Sequence, residues 1–176
     1  MDLSAAGIDD CSLWRGWYTK CDECSLGRNQ RRHTDLHLCQ RRTTTKNILS
    51  RKAFTVSMAE ASYVKECDYV GIVSGNDVPD KFQKVGFHAE PSEFVDAPMI
   101  KELHMALECK LVSYDPETCR LVGEIINVSA DESIIGEDGK IDPERLQPII
   151  FDPVHNKYRV IGEVAGNAFR DGLALK

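Results

Sequence analysis

Met105-Ala106-Leu107-Glu108-Cys109-Lys110-Leu111-Val112-Ser113-Tyr114, followed after a turn by Leu121-Val122-Gly123-Glu124-Ile125-Ile126-Asn127-Val128, is the stretch that decides the fold class. In the first run Leu107, Cys109 and Leu111 fall on one face, the period of two that a strand requires. The second run is rich in Val and Ile, which suit a pleated, half-buried surface, and reads as a strand over 119–129. Between them Asp115-Pro116 marks a turn. Two strands with one turn between them set a β framework for the rest of the chain.

Toward the N-terminus, Ala53-Phe54-Thr55-Val56-Ser57 is a short β-rich run. Residues 58–70 place Met58, Ala61, Val64, Tyr69 and Val70 at roughly helical spacing, with charges between. Residues 77–85 predict a short helix opened by Asp77 and Pro79 and closed by Gly86. Toward the C-terminus, 130–142 is an acidic loop, 143–149 a helical turn, and Tyr158–Val164 a last strand. Gly166–Leu175 reads as loop or short helix. There is no βαβ repetition and no internal repeat. The fold class is α+β, mainly β.

A chain of 176 residues fits one domain with a real core. Its formal net charge of -6 argues against nucleic acid as a main partner. The charge is uneven. Residues 1–52 hold 10 Lys and Arg against 6 Asp and Glu, and residues 53–176 hold 12 against 22. The basic front carries no phosphate loop or groove-reading motif, so a nucleic-acid arm is not expected. No apolar run approaches the ~18–20 residues of a membrane span. The N-terminus shows no apolar signal region. Cytoplasmic residence is the expectation, with Cys67, Cys109 and Cys119 as free thiols.

From Asn47 onward an ordered set of short stretches carries a resemblance. They are Asn47-Ile48-Leu49-Ser50-Arg51-Lys52-Ala53-Phe54-Thr55-Val56, Asp68-Tyr69-Val70-Gly71-Ile72-Val73-Ser74-Gly75 and Asp80-Lys81-Phe82. Later come Ala97-Pro98, Leu107-Glu108-Cys109, Gly123-Glu124, Ile150-Phe151-Asp152-Pro153, and Tyr158 with Gly162-Glu163. In order and spacing this set resembles the flavin reductase-like family, in its flavoredoxin branch. The resemblance implies an FMN-binding split β-barrel with short flanking helices, usually a homodimer with the flavin near the interface. It implies FMN as cofactor, NAD(P)H as a candidate electron donor, and a small-molecule or protein redox partner. The chemistry would belong to the isoalloxazine ring, with no protein acid or base required.

Residues 1–42 do not fit that pattern. They hold four of the seven cysteines and read with neither helical nor strand periodicity. The family opens with a strand, a turn of the form D-G-x-P-N-x-M, a strand ending in x-W, a Gly-rich bend and P-P-x-x-x-x-S. Back-translated and read one base later, Trp14–Gln40 permits G-E-D-G-T-P-N-A-M-S-V-A-W-A-G-I-S-G-D-T-P-T-C-I-S-V-S, which reproduces that opening in order. The front therefore reads as a frameshifted version of the family's N-terminus, returning to frame near Thr43. The division is an aberrant segment over 1–42 and the flavin reductase-like domain over 43–176. Two alternatives stand beside the flavin reading: a non-functional remnant that binds no flavin, and a zinc-binding front fused to a redox domain. Cys21, Cys24, His33 and His37 suit zinc by type. The gap from Cys24 to His33 is shorter than the usual ~12 residues.

The resemblance singles out six residues for the cofactor, each with a plainer reading. Lys81 is either a solvated surface charge or a cation offsetting the FMN phosphate. Ser74 and Gly75 are either a helix-ending turn or a flavin contact. Thr44 and Asn47 match polar positions after the phosphate-binding segment, yet a Thr-rich loop and a capping Asn read the same way. Phe151 is either core packing, as is Tyr158, or an aromatic near the isoalloxazine. His88, His104 and His155 show no partner at catalytic spacing. No G-x-G-x-x-G fingerprint is present, and this family does not bind NAD(P)H through that fold.

Overall fold

The computed structural model describes residues 33–38 and 43–176. In chain order the elements are β1 (His33–His37), α1 (Thr43–Arg51), β2 (Ala53–Ser57), a 3₁₀ turn (Ala61–Tyr63) running into α2 (Val64–Ile72), α3 (Lys81–Lys84), β3 (Ala89–Pro91) and β4 (Pro98–Ile100). Then come β5 (Met105–Asp115), β6 (Arg120–Ala130), a 3₁₀ turn (Glu132–Ile134), α4 (Pro143–Leu146), β7 (Ile149–Asp152), β8 (Lys157–Val160) and a final 3₁₀ turn (Asp171–Leu175).

The hairpin forms where its alternation places it. β5 and β6 pair antiparallel at the centre of a four-stranded sheet ordered β1-β6-β5-β2. Asp115 closes its turn, accepting the Glu117 N–H at 2.9 Å and the Thr118 hydroxyl at 2.6 Å. The register slips twice. Glu108 faces Asn127 but Cys109 faces Ile125, and Leu111 faces Gly123 but Ser113 faces Val122. Each slip is a bulge, and the extra residues, Ile126 and Val112, are left exposed. Two-stranded sheets β3-β4 and β7-β8 flank the main one. The structure is mainly β with short helices.

β1 corrects the reading of residues 1–42 as lacking periodicity. Thr34, Leu36 and Leu38 alternate inward, and the strand pairs antiparallel with β6 from His33↔Glu124 to His37↔Arg120. Three residues are too short a run to stand out in a segment rich in Arg and His. α1 corrects the reading of the Thr-rich stretch as loop. Three consecutive threonines are weak helix formers. Here Thr44, Thr45 and Ile48 are buried on one side, and packing overrides propensity. The helix stops at Lys52, which takes the left-handed conformation with φ 59.

Other boundaries shift. The helix expected over 58–70 begins at Val64, and the one expected over 77–85 shrinks to Lys81–Lys84, ending as expected at Gly86 with φ +76. β7 occupies the end of the stretch expected as a helical turn, and β8 stops at Val160.

Two apolar clusters fill the interior. One joins α1 to the sheet through Leu38, Ile48, Phe54, Cys109 and Leu121. The other gathers α2, α3 and β7 around Val70, Phe82, Phe87, Leu103 and Ile149. Gly123 marks a close approach to the first: a Cβ there would lie 2.3 Å from the Phe54 ring. No helix among the described residues is long and apolar enough to cross a membrane.

Candidate functional site

Five of the six sequence-predicted residues fall on α1, the loop that follows α2 and the start of α3. The Thr43 hydroxyl donates to the Asn76 side-chain oxygen at 2.8 Å, tying the first turn of α1 to the loop that follows α2. Thr44, the next residue, is buried. In that loop the Asn76 N–H donates to Ser74 Oγ at 3.2 Å, and Gly75 between them is buried. The Asp77 and Val78 N–H groups bond back to the Ser74 carbonyl, so the chain turns tightly.

Lys81 lies under this loop and is 0% exposed. Its ammonium donates to the carbonyl oxygens of Val70, in the last turn of α2, at 3.0 Å and of Val73, the residue that caps it, at 2.9 Å. The reading of Lys81 as a solvated surface charge is thereby corrected. A cation at a helix C-terminus meets the negative end of the peptide dipoles and satisfies carbonyls the helix leaves unpaired.

Asn47 supplies the site's open hydrogen bond. Its Nδ2 is buried and has no partner among the described residues. A buried amide donor without an acceptor costs free energy, so it fits a ligand that brings one. A phosphate oxygen or a flavin ring carbonyl meets that requirement. Thr44 and Asn47, three residues apart on α1, lie near one face of it. The residues present therefore fit an acceptor-rich cofactor such as a flavin.

Phe151 stands apart from these elements. It is half-buried on β7 and packs on Tyr158 of β8, ring centroids 5.8 Å apart. The Tyr158 hydroxyl donates to Asp68 on α2 at 2.7 Å, so the aromatic pair is fixed to the same helix whose end Lys81 holds.

Sequence reasoning missed the carboxylate partners. Each histidine read as unpartnered faces one through Nδ1: His88 to Glu102 at 2.6 Å, His104 to Glu60 at 2.8 Å, and His155 to Asp152 at 2.8 Å. Glu60, buried before α2, also accepts the His104 N–H at 2.7 Å. For His88 and His104 only the fold brings the partners together. Asp152, three residues before His155, was within reach of spacing.

Glu108 is likewise 0% exposed and accepts the hydroxyls of Ser92 and Ser129 and the Asn127 amide. Burial alone would raise its pKa. The bonds from Ser129, Ser92 and Asn127, with the Phe94 N–H, outweigh that and hold the carboxyl below its ordinary value. Burial pushes the Cys67 and Cys109 thiols up to about 12, so neither is a reactive thiolate near neutral pH. Of the proposed zinc ligands, Cys21 and Cys24 lie outside the described residues, while His33 and His37 fall on β1.

The antiparallel main sheet with its two small flanking sheets and short helices matches the split-barrel fold of flavin reductase-like structures. The chain belongs to the flavin reductase like domain family, whose profile matches residues 36–150, five of the six sequence-predicted residues included and Phe151 one residue beyond. It is similar in structure to the flavoredoxin of Desulfovibrio vulgaris (Miyazaki F), with TM-score 0.74 and 38% identity over 80% of this chain and 75% of that one. The flavoredoxin of Methanosarcina acetivorans matches at TM-score 0.74 and 29% identity, over 82% and 76%. A curated relative, an uncharacterized protein of Aquifex aeolicus (strain VF5), is 32% identical over 111 residues, 60% of this chain. The chain spans 55% of that relative's length.

Proposed function

We propose that the protein binds FMN noncovalently at the α1–α2–α3 corner and acts as a flavoredoxin-like electron carrier or an NAD(P)H-dependent flavin reductase. Family membership supports a flavin-linked redox role. The unpaired Asn47 Nδ2 beside buried Thr44 is the observation that carries the choice of site. Thr44 and Asn47 would hold acceptor oxygens of the cofactor, and Ser74-Gly75 would line its side. Phe151 would meet the ring. When bound, the flavin supplies one- and two-electron transfer, while the protein binds, orients and shields it. A homodimer, cytoplasmic residence and a small-molecule or protein redox partner belong to the same proposal.

The test is a titration of the protein into FMN, followed by flavin fluorescence. Saturable change with one flavin per chain and a Kd in the micromolar range or tighter is expected. Unchanged fluorescence at high protein concentration would remove the flavin reading and leave the non-functional remnant. Oxidation of NADH or NADPH by the loaded protein then separates reductase from carrier.

A further inference from the structure

We infer that Lys81 is a positioning residue for the flavin site rather than the ligand of the flavin phosphate. The inference rests on the proposed FMN site and deepens it. The resemblance carries a phosphate-binding role onto Lys81, because a cation beside a dianion is the obvious arrangement. The geometry gives the ammonium a different occupation. It is closed off from solvent, and its donors reach back 11 and 8 residues to the carbonyls of Val70 and Val73.

Those carbonyls end α2 at the point where the chain turns into Ser74-Gly75-Asn76. Val73 itself donates its N–H to the Tyr69 carbonyl, so both of its peptide groups are fixed. Lys81 is in turn set by the first turn of α3, where its own N–H meets the Val78 carbonyl at 3.2 Å. One ammonium therefore closes the loop 73–80 at both ends. Beyond it, Asn76 receives the Thr43 hydroxyl from α1. Held this way, the loop keeps Ser74 and Gly75 in a fixed place, tied to the first turn of α1 through Asn76. Turning Lys81 toward a ligand would strip two carbonyls of a charged donor, a loss set against any gain at the phosphate.

The two roles differ in what they do to FMN relative to riboflavin, which has the same ring and no phosphate. A phosphate ligand discriminates between them; a clamp serves both alike. The experiment measures binding of FMN and riboflavin to wild type, Lys81→Met and Lys81→Gln, with backbone hydrogen exchange of residues 70–78 in the flavin-free proteins. For Lys81→Met both flavins should weaken by a similar factor, on the order of tenfold for a lost charge-assisted bond. Exchange of residues 70–78 should quicken without any flavin. Lys81→Gln, which keeps N–H donors without charge, should recover part of both effects and guards against a Met variant that fails to fold. Loss of FMN at least tenfold greater than loss of riboflavin in either variant would overturn the inference. So would unaltered exchange together with unaltered binding. Wild-type protein that binds neither flavin would end the flavin proposal, while the exchange comparison still decides whether Lys81 clamps the loop.

Discussion

Two polar side chains in this protein sit in opposite states. Glu108 is buried and fully engaged; Asn47 is buried at Nδ2 and has no partner among the described residues. Removing a partner from a satisfied buried group costs about 1–3 kcal/mol, so Glu108→Gln should lower the urea-unfolding free energy by that amount at pH 7. Its folded pKa lies below the ordinary value. A depressed carboxyl contributes stability that is present above the unfolded pKa of about 4.3 and is lost as pH falls through the folded value. The gap between wild type and Glu108→Gln should therefore narrow as unfolding is repeated from pH 7 down to acid. A gap constant with pH would show that the ionised carboxyl is not the source. For Asn47 the signs divide. Asn47→Ala removes an orphan donor, so the flavin-free protein should unfold no earlier than wild type, while FMN affinity should fall by roughly tenfold. Loss of thermal stability without loss of affinity would assign Asn47 to the fold alone.

Elements differ in how openly the sequence announced them. β2, β5 and β6 were legible because each sets apolar or β-branched residues in a run that local pattern can read. β1 and α1 were not: a short alternation and a Thr-rich turn gain their stability from β6 and from the core, which sequence alone does not show. The same holds for the site. Resemblance named Thr44, Asn47, Ser74, Gly75 and Lys81, but the bonds that join α1 to the loop and Lys81 to α2 link residues 8 to 33 positions apart. The bulges in β5 and β6 were hidden too, because a register slip depends on the partner strand. Gly123 shows how tightly one strand is fitted. With its added Cβ 2.3 Å from a buried Phe54 ring, Gly123→Ala forces a core aromatic to move. Overpacking of this kind costs about 1–3 kcal/mol, read as a lower denaturant midpoint with unchanged slope. Phe54→Leu in the same chain should restore part of the loss, and no change in Gly123→Ala would mean that the ring has room to yield.

At the scale of the whole molecule, the front and the body remain chemically unlike: net +4 over residues 1–52 and -10 over 53–176. The family profile begins at residue 36, and β1 completes the sheet from within the front. The apolar side chains Val164, Phe169 and Leu175 lie exposed after the last strand, surface that the proposed homodimer would cover. Sedimentation should then give a mass about twice 19.8 kDa at micromolar concentration. A monomer under those conditions would remove the homodimer from the proposal. The frameshift proposal for the front makes a sharper demand, because the genetic code leaves little freedom at the residues that matter. For the shifted frame to yield Pro, Asn, Met and Trp, Thr19 must be written ACC, Lys20 AAA, Asp22 GAT, and Leu26 with a codon ending in TG. Each alternative codon gives a different shifted residue: GAC for Asp22, for example, turns the Met into Thr. Reading the coding DNA from the start through Thr43 is expected to show all four of these codons and a one-base difference near the return to frame. If two or more of the four are written otherwise, the permitted string is an accident of degeneracy and residues 1–42 are the protein's own. The zinc reading of Cys21, Cys24, His33 and His37 then becomes the one to measure, by metal content after dialysis.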